Sequence, residues 1–302
     1  MPNPFASRGA WRRCALHAHS TASDGELEAE LLVSHYERGG FDVLAVTDHW
    51  VRTAPRSRDS LVVIPSVELD ALVPGGTRVA HVLALGVAEA PERPNELADV
   101  QETAEWVNAH GGVAYLAHPY WSGLQAADVI GCTALAGLEV YNAGCELEVG
   151  QGIATVHWDE LLAAGRPWHG IATDDSHHPG FDSARAWTWV RVAERSPAAV
   201  LESLRDGSFY SSTGPTIDGI VTDGATVEVS CSPASRITLV AGPGRGASVG
   251  AGRLGYVHRA KVLAEDERGI TAARLAIPRD AAYARLQVHG ADGGTAWTNS
   301  LP

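Results

Sequence analysis

Apolar and polar positions follow two different rhythms along this chain, and the change falls near residue 214. Over the first two-thirds, short apolar runs of strand length are separated by segments with helical spacing. Residues 14–17 read as a strand. Residues 26–38 read as a helix, with Leu27 and Leu31 on one stripe and Gly39-Gly40 ending it. Apolar runs follow at 42–46 and 61–64, then at 79–85 after a Pro74-Gly75-Gly76 turn. Asn95 is the expected cap of a helix whose Leu97, Val100, Ala104 and Val107 recur at three and four, closed by Gly111-Gly112. Further strands are expected at 113–117, 138–141, 170–173 and 186–192. Helices are expected at 158–164, closed by Gly165 and Pro167, and from Pro197 to about Arg205.

Short continuous apolar strands alternating with helices predict a parallel sheet buried on both faces. About seven such units, closing on themselves, predict an α/β barrel with its chemistry at the carboxyl ends of the strands. From Gly214-Pro215 the helical period disappears. Pieces at 226–231, 237–240, 256–263, 274–277 and 285–288 alternate with Gly and Pro turns, predicting a small antiparallel β appendage. The chain thus divides into residues 1–214 and 215–302. The glycine-rich stretch 242–255 lacks a Gly-Lys-Ser/Thr ending and leads into no helix, so it reads as a loop and not a phosphate cradle.

Composition narrows the class. With 45% hydrophobic and 20% charged residues among 302, the chain reads as an ordinary globular protein. No apolar run is long enough to span a bilayer, and residues 1–13 lack the hydrophobic core of a signal peptide. Cys14, Cys132, Cys145 and Cys231 are scattered, which predicts reduced thiols and a cytoplasmic setting. A net charge of −13 argues against tracking along a nucleic-acid backbone, and a small basic cluster at Arg52, Arg56 and Arg58 does not reverse that.

Candidate chemistry gathers where the strands end. His17-Ala18-His19 places two imidazoles on one side of an extended chain, since side chains alternate. Ser23-Asp24-Gly25 follows in the next loop. Thr47-Asp48-His49 ends the second strand, Glu68 follows the third, and His118 follows 113–117 in Ala117-His118-Pro119. Asp175 and His177 follow 170–173. His81 fits less neatly, because it lies inside its strand. A lone residue of this kind is ordinarily a cap or a surface group; the same kind on six strands points to metal. Imidazole with carboxylate, and no cysteine expected at the rim, suits zinc, manganese or iron. The ligands are too many for one ion and suit two or three.

The ordered set His-x-His, Ser-Asp-Gly, Thr-Asp-His, Glu, His, Ala-His-Pro and Asp-x-His, spread over about 14–215, is similar to the PHP family, named for polymerase and histidinol phosphatase. The resemblance implies a distorted (β/α)7 barrel and a metal-dependent hydrolase, usually of phosphoesters. Carried over residue by residue, it implies one metal on His17, His19, Glu68 and Asp175. A second would share Glu68 and add His81 and His118. A third would use Asp24, His49 and His177. Some relatives have histidine where this chain has Asp24; either side chain can ligate.

On this reading a hydroxide held between the two ions that share Glu68 attacks phosphorus, and Asp24, Glu68 and Asp175 are the catalytic carboxylates. Three divalent ions against three carboxylates leave a positive rim that attracts a small anionic substrate. Arg185 is the candidate phosphate clamp. His178 and His169 flank the ligand loop as candidate proton donors, and Asn142 is a candidate substrate contact. Asp174 and Asp48 are expected to orient ligands from behind. Trp50, Tyr120 and Trp121 hint at a partly apolar rim. Two other readings stay open: hydrolysis of a carbamate, ester or amide on the same ions, and a non-catalytic metal-stabilised binding domain.

Overall fold

The computed structural model describes residues 3–250 and 259–301. The chain begins with β1 (Ala10–Ala15), and α1 (Ala29–Arg38) returns it to β2 (Val43–Val46), which lies parallel to β1. β3 (Val62–Leu72) joins β2 in parallel through residues 62–65, with no helix between them. Beyond Pro65, β3 runs on and pairs antiparallel with β4 (Val79–Leu85). The Pro74-Gly75-Gly76 turn makes this a hairpin; Gly75 sits at φ +71°, a left-handed conformation that glycine takes without steric cost. A hairpin connection forces antiparallel pairing.

Next come α2 (Val100–Ala109) and β5 (Val113–Leu116), the latter antiparallel to β4. Asp99, not Asn95, caps α2: its carboxylate accepts from Glu102 N, and Glu102 reciprocates. After α3 (Ala126–Val129), β6 (Gly137–Asn142) lies parallel to β5. Then α4 (Ala143–Val149) and α5 (Thr155–Ala163) lead to β7 (His169–Thr173), parallel to β6. The uniform strand–helix alternation expected from periodicity is therefore interrupted. The β2–β3 and β3–β4 connections carry no helix, and β4 runs against both neighbours. The architecture is mixed α/β with a large sheet of parallel and antiparallel strands.

The curve of the run from β1 to β7 brings these two strands together beyond their carboxyl ends. Asp175 N donates to His17 O (3.0 Å) and His19 N donates to Ser176 O (2.9 Å), so the segments leaving β7 and β1 bond directly. On the other edge of β1, β8 (Trp187–Val192) pairs antiparallel. α6 (Pro197–Asp206), capped by Ser196, leads to β9 (Phe209–Ser212).

The remainder is antiparallel: β10 (Ile217–Thr222), β11 (Thr226–Val240), β12 (Gly246–Gly250), β13 (Ala260–Asp266), β14 (Gly269–Ala276), β15 (Arg285–Gly290) and β16 (Thr295–Thr298). Two expected strands, 226–231 and 237–240, are one long strand, β11. β12 occupies part of the stretch read as a loop. Residues 251–255 of that stretch, and 256–258 of the expected strand 256–263, lie outside the described residues. β16 pairs with β9, so the sheet continues from one part of the chain into the other. Val227, Val229, Ile237, Leu239, Leu286 and Val288 fill the core of these later strands. Arg285, fully buried, bonds Asp159 of α5 through two contacts of 2.7 Å over the Trp158 ring, tying β15 to that helix.

Among the described residues no helix is long and apolar enough to cross a membrane.

Candidate metal centre

The curl of the sheet brings together side chains that are distant in the chain. His17 and His19 follow β1 on one side of an extended segment and are fully buried. The next loop returns Asp24 over them. Its Gly25 lies against the His19 carbonyl: a Cβ there would meet that oxygen at 2.2 Å, so only glycine allows the approach. His49 follows β2. Glu68 lies within β3, not after its end as expected, because β3 continues into the hairpin. His81 sits near the start of β4. Since β4 is antiparallel, its beginning lies at the rim where the parallel strands finish, which accounts for a site residue inside a strand. His118 follows β5, and Asp175 and His177 follow β7.

All nine residues assigned as ligands from sequence meet in one region. His17 Nε2 lies 3.1 Å from His19 Nε2, 3.1 Å from Glu68 Oε2 and 3.0 Å from Asp175 Oδ1. His19 Nε2 lies 3.3 Å from Glu68 Oε2 and 3.2 Å from Asp175 Oδ1. Ligands about 2.0–2.1 Å from a tetrahedral ion stand about 3.3–3.4 Å apart, so these atoms, 3.0–3.3 Å apart, are close to the spacing that surrounds one cation. The other Glu68 oxygen, Oε1, lies 3.0 Å from His81 Nδ1 and 3.2 Å from His118 Nε2. On the open side, Asp24 lies 3.4 Å from His19 and His177 and 3.5 Å from His49. His49 also turns Nδ1 to Glu68 at 3.5 Å, so it stands between two of the groups assigned from sequence.

The hydrogen-bond pattern fits cations. Asp175 Oδ1 is buried and has no hydrogen-bond partner. His17 Nδ1 faces Glu139 Oε1 at 2.8 Å. With the proton on Nδ1, the Nε2 lone pair faces two carboxylate oxygens, an arrangement that calls for a positive charge between them.

Electrostatics agree. Burial lowers imidazole proton affinity, yet nearby carboxylates outweigh it. Asp175, Glu68 and Glu139 push His17 well up, and Asp175 and Glu68 raise His19 to about 9. His81 and His177 are raised as well, by Glu68 and by Asp24 against burial. Conversely Glu68 and Asp175 are held well below the carboxylate range: their burial acts upward, but the surrounding imidazoles dominate. Asp24 is held low chiefly by His177 and His49.

The backbone is bent to this end. His118 and Asp175 take positive φ (+23° and +53°), as does Trp50 beside His49 (+58°). A cavity of about 270 Å³ opens over the cluster, lined also by Trp121, Cys145, Glu148 and His178. A larger groove, about 1020 Å³, lies between α5 and β11–β12 and holds none of the nine residues.

Several expectations need correction. The Arg185 guanidinium is exposed, donates to Phe181 O (3.1 and 3.0 Å) and does not line the cavity. His169 begins β7, the opposite end of that strand from Asp175. Of the two candidate proton donors only His178 is on the cavity wall. Asp174 touches no ligand side chain; it accepts from Tyr36 Oη and from the backbone N–H groups of Ala184, Arg185 and Ala186. Burial still pushes it up to about 6. Asp48 holds Ser20, Ser23 and Thr53, fixing the Asp24 loop instead of His49. Asn142 caps α4 and donates to Asp175 Oδ2 (3.0 Å), so it orients that carboxylate. Cys145 does reach the wall, 3.9 Å from Asp175 Oδ2. Burial and the carboxylates of Asp175 and Glu139 push its thiol far up, which disfavours a thiolate.

Two residues went unassigned. Glu139 backs His17, and Asp182 accepts from Ser176 Oγ, His177 N and His178 N to shape the ligand loop. The only sequence signal for Glu139 was an acid inside an apolar strand, a placement that is costly unless fully bonded.

No family model matches the chain, and no curated protein matches it. Solved structures do. One is a two-domain protein containing a predicted PHP-like metal-dependent phosphoesterase from Bacteroides vulgatus, at 16% identity and TM-score 0.50, covering 97% of this chain and 96% of that one. A lesion-specific endonuclease from Pyrococcus furiosus matches at 12% identity and TM-score 0.46, covering 65% of this chain and 56% of that one. An amidohydrolase from Chromobacterium violaceum matches at 15% identity and TM-score 0.40, covering 56% and 89%. The first match spans nearly all of both molecules, and this chain therefore shares the fold of that protein, which contains a predicted PHP-like metal-dependent phosphoesterase.

Proposed function

We propose that this protein is a metal-dependent hydrolase acting on a small phosphoester, with two or three zinc, manganese or iron ions held by His17, His19, Asp24, His49, Glu68, His81, His118, Asp175 and His177. The observation that carries the reading is the spacing of His17, His19, Glu68 and Asp175 around one point, with Asp175 Oδ1 buried and unpartnered. We read residues 1–214 as a distorted (β/α)7 barrel carrying the centre and 215–302 as a small β-rich domain. Four buried, unpaired cysteines support a reducing, cytoplasmic setting.

Divalent ions bound here supply an ionised water at neutral pH and positive charge for the oxyanions of the substrate. The chain's own groups do the rest. His17, His19, Glu68 and Asp175 form the dry floor. Asp24, His49 and His177 stand on the open side, where substrate enters. Trp121, packed on His118 and partly exposed, forms an apolar wall for the leaving group. His178, on the wall and outside the ligand set, is placed to hold a proton for that group.

One observation favours the second reading, hydrolysis of a carbamate, ester or amide. No lysine or arginine is among the described residues lining the cavity, so a phosphate would meet no side-chain cation there. Metal analysis of the purified protein, with a panel of phosphomonoesters, phosphodiesters and carboxyl esters under Zn²⁺, Mn²⁺ and Fe²⁺, separates the readings. Turnover confined to phosphoesters is expected. Turnover of carboxyl esters or amides alone would replace the first reading with the second.

A further inference from the structure

We propose that Glu139 is the positioning residue that makes His17 a competent ligand, by fixing the proton on Nδ1 so that Nε2 is left free for the metal. The inference rests on the metal-centre reading above and concerns a residue outside the ligand set.

Glu139 is fully buried on β6 and accepts four hydrogen bonds. Oε1 takes His17 Nδ1 (2.8 Å) and Thr173 Oγ1; Oε2 takes His118 N (2.7 Å) and Asn142 Nδ2 (2.8 Å). A carboxylate offers about four lone-pair sites, so this one is full and has none left for an ion. Its role is indirect. It sets the His17 tautomer, and it draws in the backbone of His118 at its positive φ. Through Asn142, which donates to Asp175 Oδ2, it orients the buried aspartate. Three ligands from three different strands thus depend on one carboxylate.

An amide cannot replace it, although the shape is nearly the same. If the Glu139→Gln side chain turns its NH2 towards the Oε2 position, it faces two donors, His118 N–H and Asn142 NH2. Asn142 cannot flip, because its Oδ1 accepts from Cys145 N (2.9 Å). If the NH2 turns towards the Oε1 position, the Thr173 hydroxyl can rotate to accept. His17 Nδ1 must then become an acceptor, and its proton moves to Nε2, the atom that faces Glu68 and Asp175. Either way the metal loses a ligand or the network loses a bond.

The test is competitive Zn²⁺ titration of the metal-free full chain, wild type against Glu139→Gln and Thr173→Val, with thermal unfolding of each metal-free protein. Glu139→Gln is expected to weaken zinc by about 100-fold, the upper end for a residue behind a ligand. Its metal-free melting temperature should stay near wild type. Thr173→Val, which leaves the His17 bond in place, should change affinity by less than the roughly 10-fold at the lower end of that range. Equal affinity for wild type and Glu139→Gln would overturn the proposal. So would an equally large loss in Thr173→Val, which would mark a packing effect. If Glu139→Gln does not fold, ¹⁵N NMR of zinc-loaded wild type decides: a protonated His17 Nδ1 supports the assignment, and a deprotonated one ends it. Failure of the wild-type chain to bind zinc or manganese at all would instead bring down the functional reading itself.

Discussion

Beside the two ends of β7 stand buried histidines in opposite electrical states, His169 on the strand itself and His19 on the segment after β1 that bonds Ser176. At its start, His169 is almost fully enclosed, and burial depresses it to about 4 against a backbone bond to Arg205 and the charge of Asp206. Beyond its end, His19 is equally enclosed, yet it rises to about 9 because Asp175 and Glu68 surround it. Burial alone drives an imidazole to neutrality; burial among carboxylates drives it to bind a cation, either a proton or a metal. The contrast shows why enclosure does not identify a ligand. The informative feature is a buried imidazole whose free nitrogen faces buried acids that lack other donors.

The comparison breaks most severely if the mouth is not a metal centre. His17→Ala and Asp175→Ala each remove a member of the enclosed tetrad. Both should lose bound metal and more than about 100-fold of the activity, beyond the range for residues that only support a ligand. Elemental analysis and turnover check this; retention of metal and rate in either variant would remove that residue from the centre. Asp24→Ala should do less. Its carboxylate is half-exposed and serves the open side, so the variant should release one ion, keep the enclosed one and lose roughly 10–100-fold in rate. Complete demetallation by Asp24→Ala would show that the sites load as a unit.

The same contrast explains what could be read in advance. Most of the candidate ligands were legible because they sit in short motifs where an apolar strand stops, and strand ends on one side of a curled sheet share a rim. His81 looked misplaced only because the antiparallel hairpin at Gly75 was not foreseen. Arg185 was misread because proximity in sequence to the Asp175 loop says nothing about direction: Asp174 holds its backbone and the Phe181 carbonyl holds its guanidinium. Glu139 was passed over since its worth lies in four partners from four segments, none visible in a local window. The β9 segment, Phe-Tyr-Ser-Ser, carries too little apolar alternation to announce a strand and becomes one by pairing with β8 and β16.

The start of β7, away from the metal centre, gives the effect with the sharpest sign. His169 has an unfolded value near 6.5 and a folded value of about 4, so between these the unfolded chain binds the extra proton and the folded one does not. Stability conferred by keeping His169 neutral is therefore present above about pH 6.5 and is lost as pH falls towards 4. The full difference is on the order of 3 kcal/mol. The ring also packs against Gly207, where a Cβ would meet it at 2.4 Å. Replacing it by glutamine, which does not titrate, should flatten the stability profile over that interval while leaving metal content unchanged. Denaturant unfolding at a series of pH values measures the slope. A wild-type profile that is already flat from 6.5 to 4 would mean that water reaches this imidazole, and the two ends of β7 would then differ in their carboxylates alone.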